Sequence, residues 1–216
     1  MIINHPKRFI FIASPKAGST TVEMFLKRHA SVALLALGKH LSCDDIKNNL
    51  SFLFELSGVP FENYFKFGVA RDPISRLVSW YNYRQREGVS PERSLSKISF
   101  RDFASMEMLR DAKSHDQHTF FSCSGKIAVD YLIPIEYLND SMVEFCRIFN
   151  INRVYNPELH IRNVSIKRFT VADIEPDLIE MMRKHYANDI RLHEMARQGA
   201  FGSMENAAKN KLILIQ

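Results

Sequence analysis

Residues 8–26, RFIFIASPKAGSTTVEMFL, constrain the fold more than any other part of this chain. The strand expected over residues 8–13 is apolar without a break from Phe9 to Ala13 rather than alternating, which predicts burial on both faces, as in a parallel sheet covered by helices. Pro15, Lys16, a lone Gly18 and the hydroxyls Ser19, Thr20 and Thr21 follow, and a helical pattern with Val22, Phe25 and Leu26 on one face comes next. A strand feeding a short loop and a helix is a setting for anion capture. The helix N-terminus presents unpaired N–H groups and partial positive charge, Gly18 lets backbone approach a ligand closely, and Lys16 adds a point charge. The same residues also describe a plain strand-to-helix turn whose hydroxyls cap the helix. They are not a Walker A loop, which needs G-x-x-x-x-G-K-[ST]; here there is one Gly, and the Lys precedes it.

The remaining pattern alternates strands with helices. Residues 31–37 (SVALLAL) read as a second strand, and Ser42 with Asp44 and Asp45 opens a helix that runs through SFLFEL. Residues 64–70 (YFKFGVA) read as another buried strand. A helix follows, with Asp72 as its cap and Pro73 at its first position. Helices are predicted over 99–109 and 141–150, with a short strand near 129–133 broken by Pro134 between them. Residues 151–169 read as loop, and a long helix runs from Pro176 to about 197. This order predicts an α/β fold with a mainly parallel sheet, and the length of 216 residues suits one domain, 1–216.

Composition narrows the partners. The net charge of +5 fits an anionic ligand and equally a solvated surface; with no run of five like charges, nucleic acid is not expected. Three Cys without CxxC spacing argue against a disulfide framework and a zinc site, so no metal is expected. Unbridged cysteines, the lack of an apolar signal-peptide core and the lack of an 18-residue apolar stretch lead to the expectation of a cytoplasmic protein.

A second constellation lies at 64–84. Arg71 stands at the C-terminal end of the expected strand, where open α/β sheets bind ligands, and Ser79 lies two turns into the next helix. Arg offers a planar fork suited to phosphate. The alternative is that Arg71 pairs with Asp72 or a core carboxylate while Ser79 merely packs.

Taken together, P-K-x-G-[ST]-T after the first strand and R-[DN]-P-x-x-R-[LV]-x-S-x-[YW] after a later one resemble the PAPS-dependent sulfotransferases (PAPS is 3′-phosphoadenosine 5′-phosphosulfate). Through FKFGVARDPISRLVSWYNYR the chain is more similar to the carbohydrate-type branch and its bacterial, family 2-like relatives. DQHTFFS (116–122), YLIPIEYLNDSMVEFCRIFNI, LHIRNVSIKRF and LIEMMRKHYANDIRLHEM are looser matches, and they extend the resemblance over nearly the whole chain. The resemblance implies a three-layer, P-loop-NTPase-like fold. It implies that Lys16, Ala17, Gly18, Ser19, Thr20 and Thr21 hold the 5′-phosphosulfate, that Arg71 and Ser79 hold the 3′-phosphate, and that the loop 160–168 lies near the adenosine. Ala17 occupies a variable slot of the motif, and Ala70 stands where FVR is more usual.

The implied reaction moves a sulfonyl group from PAPS to an acceptor hydroxyl, on a small molecule or a saccharide. Lys16 and the loop N–H groups would meet charge growing on the bridging oxygen. A base that titrates near working pH is needed, and His is the default type. His40, in GKHLSCDD, is the first candidate; His118 is a residue that contacts substrate or orients a catalytic group; Glu55 and Glu136 are fallback bases. His5, His29, His185 and His193 are assigned structural roles, and Trp80 and Tyr81 are assigned to the core. Loops 84–98 and 105–125, with Arg84, Arg86 and Arg93, are expected near the acceptor, the arginines either meeting an anionic acceptor or lying solvated. Two readings from other classes stay open. One is a P-loop kinase or NTPase, disfavoured by the missing GK[ST] and Walker B strand; the other is a non-catalytic PAP-binding protein that has lost its base.

Overall fold

Alternating side chains along three short strands decide the layering. In the computed structural model, which describes residues 1–35, 38–85, 97–110, 116–151 and 169–212, β1 (Ile2–Asn4), β2 (Phe9–Ile12), β3 (Val32–Ala33), β4 (Phe65–Ala70) and β7 (Tyr131–Pro134) form one sheet in the order β3-β1-β2-β4-β7. β2, β4 and β7 pair in parallel, β1 is antiparallel to β2, and β3 is antiparallel to β1, so four of the five strands point the same way. Ile2, Phe9, Phe11, Phe65, Phe67, Val69 and Ile133 face one helical layer, built from α1 (Ser19–Leu26), α7 (Leu138–Ile148) and α10 (Met204–Leu212). Ile3, Ile10, Ile12, Ala70 and Leu132 face the other, built from α2 (Cys43–Asn49), α3 (Ser51–Ser57) and α9 (Ala187–Arg197). The period of two thus buries both faces, which is why these strands read as unbroken apolar runs. Rings fill the first face; the Phe67 and Phe145 centroids are 4.6 Å apart.

A third apolar cluster joins α4 (Pro73–Arg84), α5 (Phe100–Leu109) and α8 (Pro176–His185) through Leu77, Tyr81, Phe103, Leu178 and Met182. α6 (Gln117–Phe120) and the hairpin β5 (Ser122–Cys123) with β6 (Lys126–Ile127) complete the described elements. Gly68 of β4 is needed for close approach: a Cβ there would lie 2.7 Å from Cζ of Phe121, whose ring covers that point of the strand.

Several expectations change. Of residues 31–37, the described ones (31–35) supply the two-residue edge strand β3, and its neighbour β1 has no counterpart in the sequence reading. The single helix expected after Ser42 divides at Leu50 into α2 and α3, with Ser42 and Asp45 forming a reciprocal capping box. The long helix from Pro176 divides at Tyr186, which is buried in the third cluster. The break lets α8 pack on α4 and α5 while Leu192 and Ala196 of α9 turn onto the sheet. Arg86, Arg93 and the loop 160–168 lie outside the described residues.

Candidate active site

The loop after β2 is shaped for an oxyanion. Lys16 adopts φ 60° and Gly18 φ 74°, left-handed conformations that reverse the chain between strand and helix. Gly18 is the N-cap of α1, and no side chain caps that helix; the Thr21 N–H already donates to the Gly18 carbonyl at 3.1 Å, so the Ser19 and Thr20 N–H groups are the ones placed to meet an external acceptor. Ser14 Oγ is buried and has no hydrogen-bond partner among the described residues. Ala17 is fully buried in the first core layer, so it can offer a ligand only backbone. Ser19 is buried, whereas Thr20 and Thr21 are half-exposed. These donors suit a phosphate or phosphosulfate group. Lys16 Nζ rests on the Tyr83 ring, 4.1 Å from its centroid.

Arg71 joins the two sequence motifs. Its Nη1 donates to the carbonyl of Lys16 at 3.1 Å and its Nε to Ser75 Oγ at 3.2 Å. It forms no ion pair among the described residues. Asp72 instead caps α4, accepting from the Ser75 N–H at 2.7 Å. Arg71 therefore does not pair with Asp72, one of the two alternatives the sequence left open. Burial lowers the Arg71 pKa from its ordinary value and the Arg76 charge acts in the same direction, while the Asp72 and Glu136 charges oppose the shift; a half-buried guanidinium without a close carboxylate among the described residues is suited to an anion. Ser75, Ser79 and Tyr83 follow one another at i, i+4 and i+8, a single row along α4. Arg71 lies on the first member and Lys16 on the last, so Ser79 belongs to the face turned toward the loop.

His40 sits beside this loop. Its Nδ1 contacts the carbonyl of Ala13, the residue after β2, at 2.6 Å. A carbonyl only accepts, so Nδ1 carries the hydrogen and Nε2 keeps a lone pair. The residue retains an exposed surface, yet protein crowded around the ring lowers its pKa from the ordinary value. The Lys39 charge lowers it further, while the Ala13 hydrogen bond and Glu23 oppose the shift. Lys39, which the sequence reading passed over, donates to Glu23 Oε2 at 2.9 Å and to Thr20 Oγ1 at 3.3 Å, tying the His40 segment to α1. Glu23 is buried; an acidic residue on an apolar helix face was the available signal.

The segment DQHTFFS contributes chiefly through Gln117. This side chain is buried and spans both backbone polar groups of Arg71, accepting from its N–H at 2.9 Å and donating to its carbonyl at 2.6 Å. His118 is half-buried, and its backbone N–H donates to Asp189 at 2.8 Å. Of the fallback bases, Glu136 lies just past the C-terminal end of β7, with Oε2 3.2 Å from His193 Nε2. Glu55 lines a groove with Pro60 and Glu62 that leads into the N-terminal end of β4, opposite Arg71, and is removed from the candidates. Tyr81 is buried and donates to the carbonyl of Ile98 at 2.7 Å, in keeping with its assignment to the core. Among the described residues no cluster of three or more metal-ligating side chains occurs, and no helix is long and apolar enough to cross a membrane.

No curated protein and no solved structure matches the chain. A family model described as "Sulfotransferase family" matches residues 1–195, a span that contains the loop at Lys16, the Arg71 motif and all of α8. With nine-tenths of its length matched, the chain belongs to the sulfotransferase family.

Proposed function

We propose that this protein transfers a sulfonyl group from PAPS to an acceptor hydroxyl, on a carbohydrate or similar small molecule. The observation that carries this is the bond from Arg71 to the Lys16 carbonyl at 3.1 Å, which brings the Lys16 loop and an arginine with no close carboxylate partner among the described residues to one end of the sheet. Two anion sites so joined suit a nucleotide phosphorylated at both ends. When bound, PAPS supplies the activated sulfonyl group. The N–H groups at the start of α1, with Ser19, Thr20 and Thr21, hold the 5′-phosphosulfate; Arg71 and Ser79 hold the 3′-phosphate. His40 Nε2 takes the proton of the acceptor hydroxyl as its oxygen bonds to sulfur. The bond from sulfur to the bridging oxygen breaks, and Lys16 stabilises the charge left on that oxygen. His118 borders the acceptor space. A P-loop-NTPase-like, three-layer fold in one domain and a cytoplasmic setting fit the same reading.

Calorimetry with adenosine 3′,5′-bisphosphate (PAP) and with ATP and Mg²⁺ tests the donor. Binding of PAP is expected; tight ATP binding without PAP binding turns the assignment to a phosphoryl transferase. Lys16→Ala is expected to keep the fold and abolish transfer over a panel of acceptors, and full activity in that variant would sink the mechanism.

A further inference from the structure

Asp189 is a buried carboxylate, 1% exposed, on α9, far in sequence from both motifs and without a role in the chemistry above. Both of its oxygens are used. Oδ2 accepts from the Gln117 N–H at 2.9 Å and Oδ1 from the His118 N–H at 2.8 Å, so the carboxylate holds the start of α6. Oδ2 also lies 3.6 Å from Nη2 of Arg76 on α4. Gln117, fixed in this way, closes its amide on the N–H and carbonyl of Arg71. Arg71 lies one residue beyond the last ladder pair, Ala70 with Pro134, so the Gln117 amide stands in where the sheet no longer supplies partners.

We propose that Asp189 is a positioning residue for the 3′-phosphate site: through Gln117 it sets the place of Arg71 at the exit of β4. The inference rests on the reading of Arg71 as a 3′-phosphate ligand. A free Arg71 backbone could rotate its guanidinium away from the Lys16 carbonyl and Ser75. Held at both peptide groups, it presents its fork toward the loop without reorganisation on binding. An aspartate that merely stabilised the fold would raise or lower all ligand affinities together. A positioning aspartate acts on the 3′-phosphate in particular.

The test compares Kd values for PAP and adenosine 5′-phosphate (AMP), measured by calorimetry on the full chain and on the variants Asp189→Asn and Gln117→Met, with thermal melts as the check on folding. The ratio of PAP to AMP affinity is expected to fall by about tenfold or more in both variants, the scale of one lost charge-assisted hydrogen bond. If Asp189→Asn does not fold, Gln117→Met decides, because it nearly preserves volume and removes only the link to Arg71. A ratio that stays within about twofold of the unsubstituted protein overturns the positioning role. An unsubstituted chain that binds PAP no more tightly than AMP removes the reading of the site itself, and this inference with it.

Discussion

Gly68→Ala probes how the sheet and the site are connected. The added Cβ would stand 2.7 Å from Cζ of Phe121, closer than packed carbon atoms come, and 3.2 Å from its Cδ1, tighter than most such contacts. Phe121 is fully buried, and it follows α6 directly, four residues after Gln117. The ring cannot swing into open space, so either β4 bends or α6 shifts outward. Overpacking of this kind costs about 1–3 kcal/mol. In a chain of this size each kcal/mol lowers Tm by roughly 2–4 °C, so the expected fall is roughly 2–12 °C. The assay is a double-mutant cycle by chemical denaturation. Phe121→Leu alone loses packing, but in the presence of Gly68→Ala it relieves the clash, so the two substitutions should couple by about 0.5–3 kcal/mol. Because the displaced element carries Gln117, PAP affinity should fall in Gly68→Ala and recover in part in the double variant. Additive stabilities, or a Gly68→Ala protein within about 0.5 kcal/mol of the parent, would refute the reasoning.

The pH dependence of transfer follows from His40. Crowding by protein lowers its pKa below the ordinary value of about 6.5, so the base form is present above that pH and the rate falls as pH drops through the lower, folded value. An acid limb centred above about 6.5, or one that persists in His40→Ala, would exclude His40 as the base. The same shift means that the unfolded chain holds this proton more tightly. The stability His40 contributes is therefore present above about pH 6.5 and is lost as pH falls through the folded pKa, an effect measurable as a smaller pH dependence of Tm in His40→Ala. Tyr83→Leu removes the ring under Lys16 Nζ. A cation–π contact of about 1 kcal/mol no longer competes with the ligand, so PAP affinity should rise by up to about fivefold; a loss beyond about tenfold would instead make Tyr83 a direct ligand contact.

Local chemistry was legible where one segment dictates it. The apolar run before Pro15, the helix starts at Ser42 and Pro73 and the strand ending at Ala70 follow from burial on both faces and from capping, which act over a few residues. The pairing of the Lys16 loop with the Arg71 motif was legible as a family pattern, though without its geometry. Strand order, the antiparallel edge of β1 and β3, and the break at Tyr186 were not, because each depends on which distant surface an apolar residue meets. The same limit applies within the site. From the sequence, Lys16, Gly18, Arg71 and His40 could be chosen by chemical type and position relative to strand and helix ends. Gln117 and Asp189 could not be given their tasks, because a buried amide or carboxylate is defined by the donors it satisfies. Those donors, the N–H groups of Arg71, Gln117 and His118, lie 46 to 72 residues away along the chain. The sequence by itself thus determined an α/β chain with a strand–loop–helix turn carrying Lys16 and Gly18, and an arginine at a strand end. Only the tertiary structure decided that the arginine lies against the loop, that the Gln117 amide closes on its backbone and that Asp189 accepts from the Gln117 N–H, since hydrogen bonds between distant segments exist only once the core has brought their elements together.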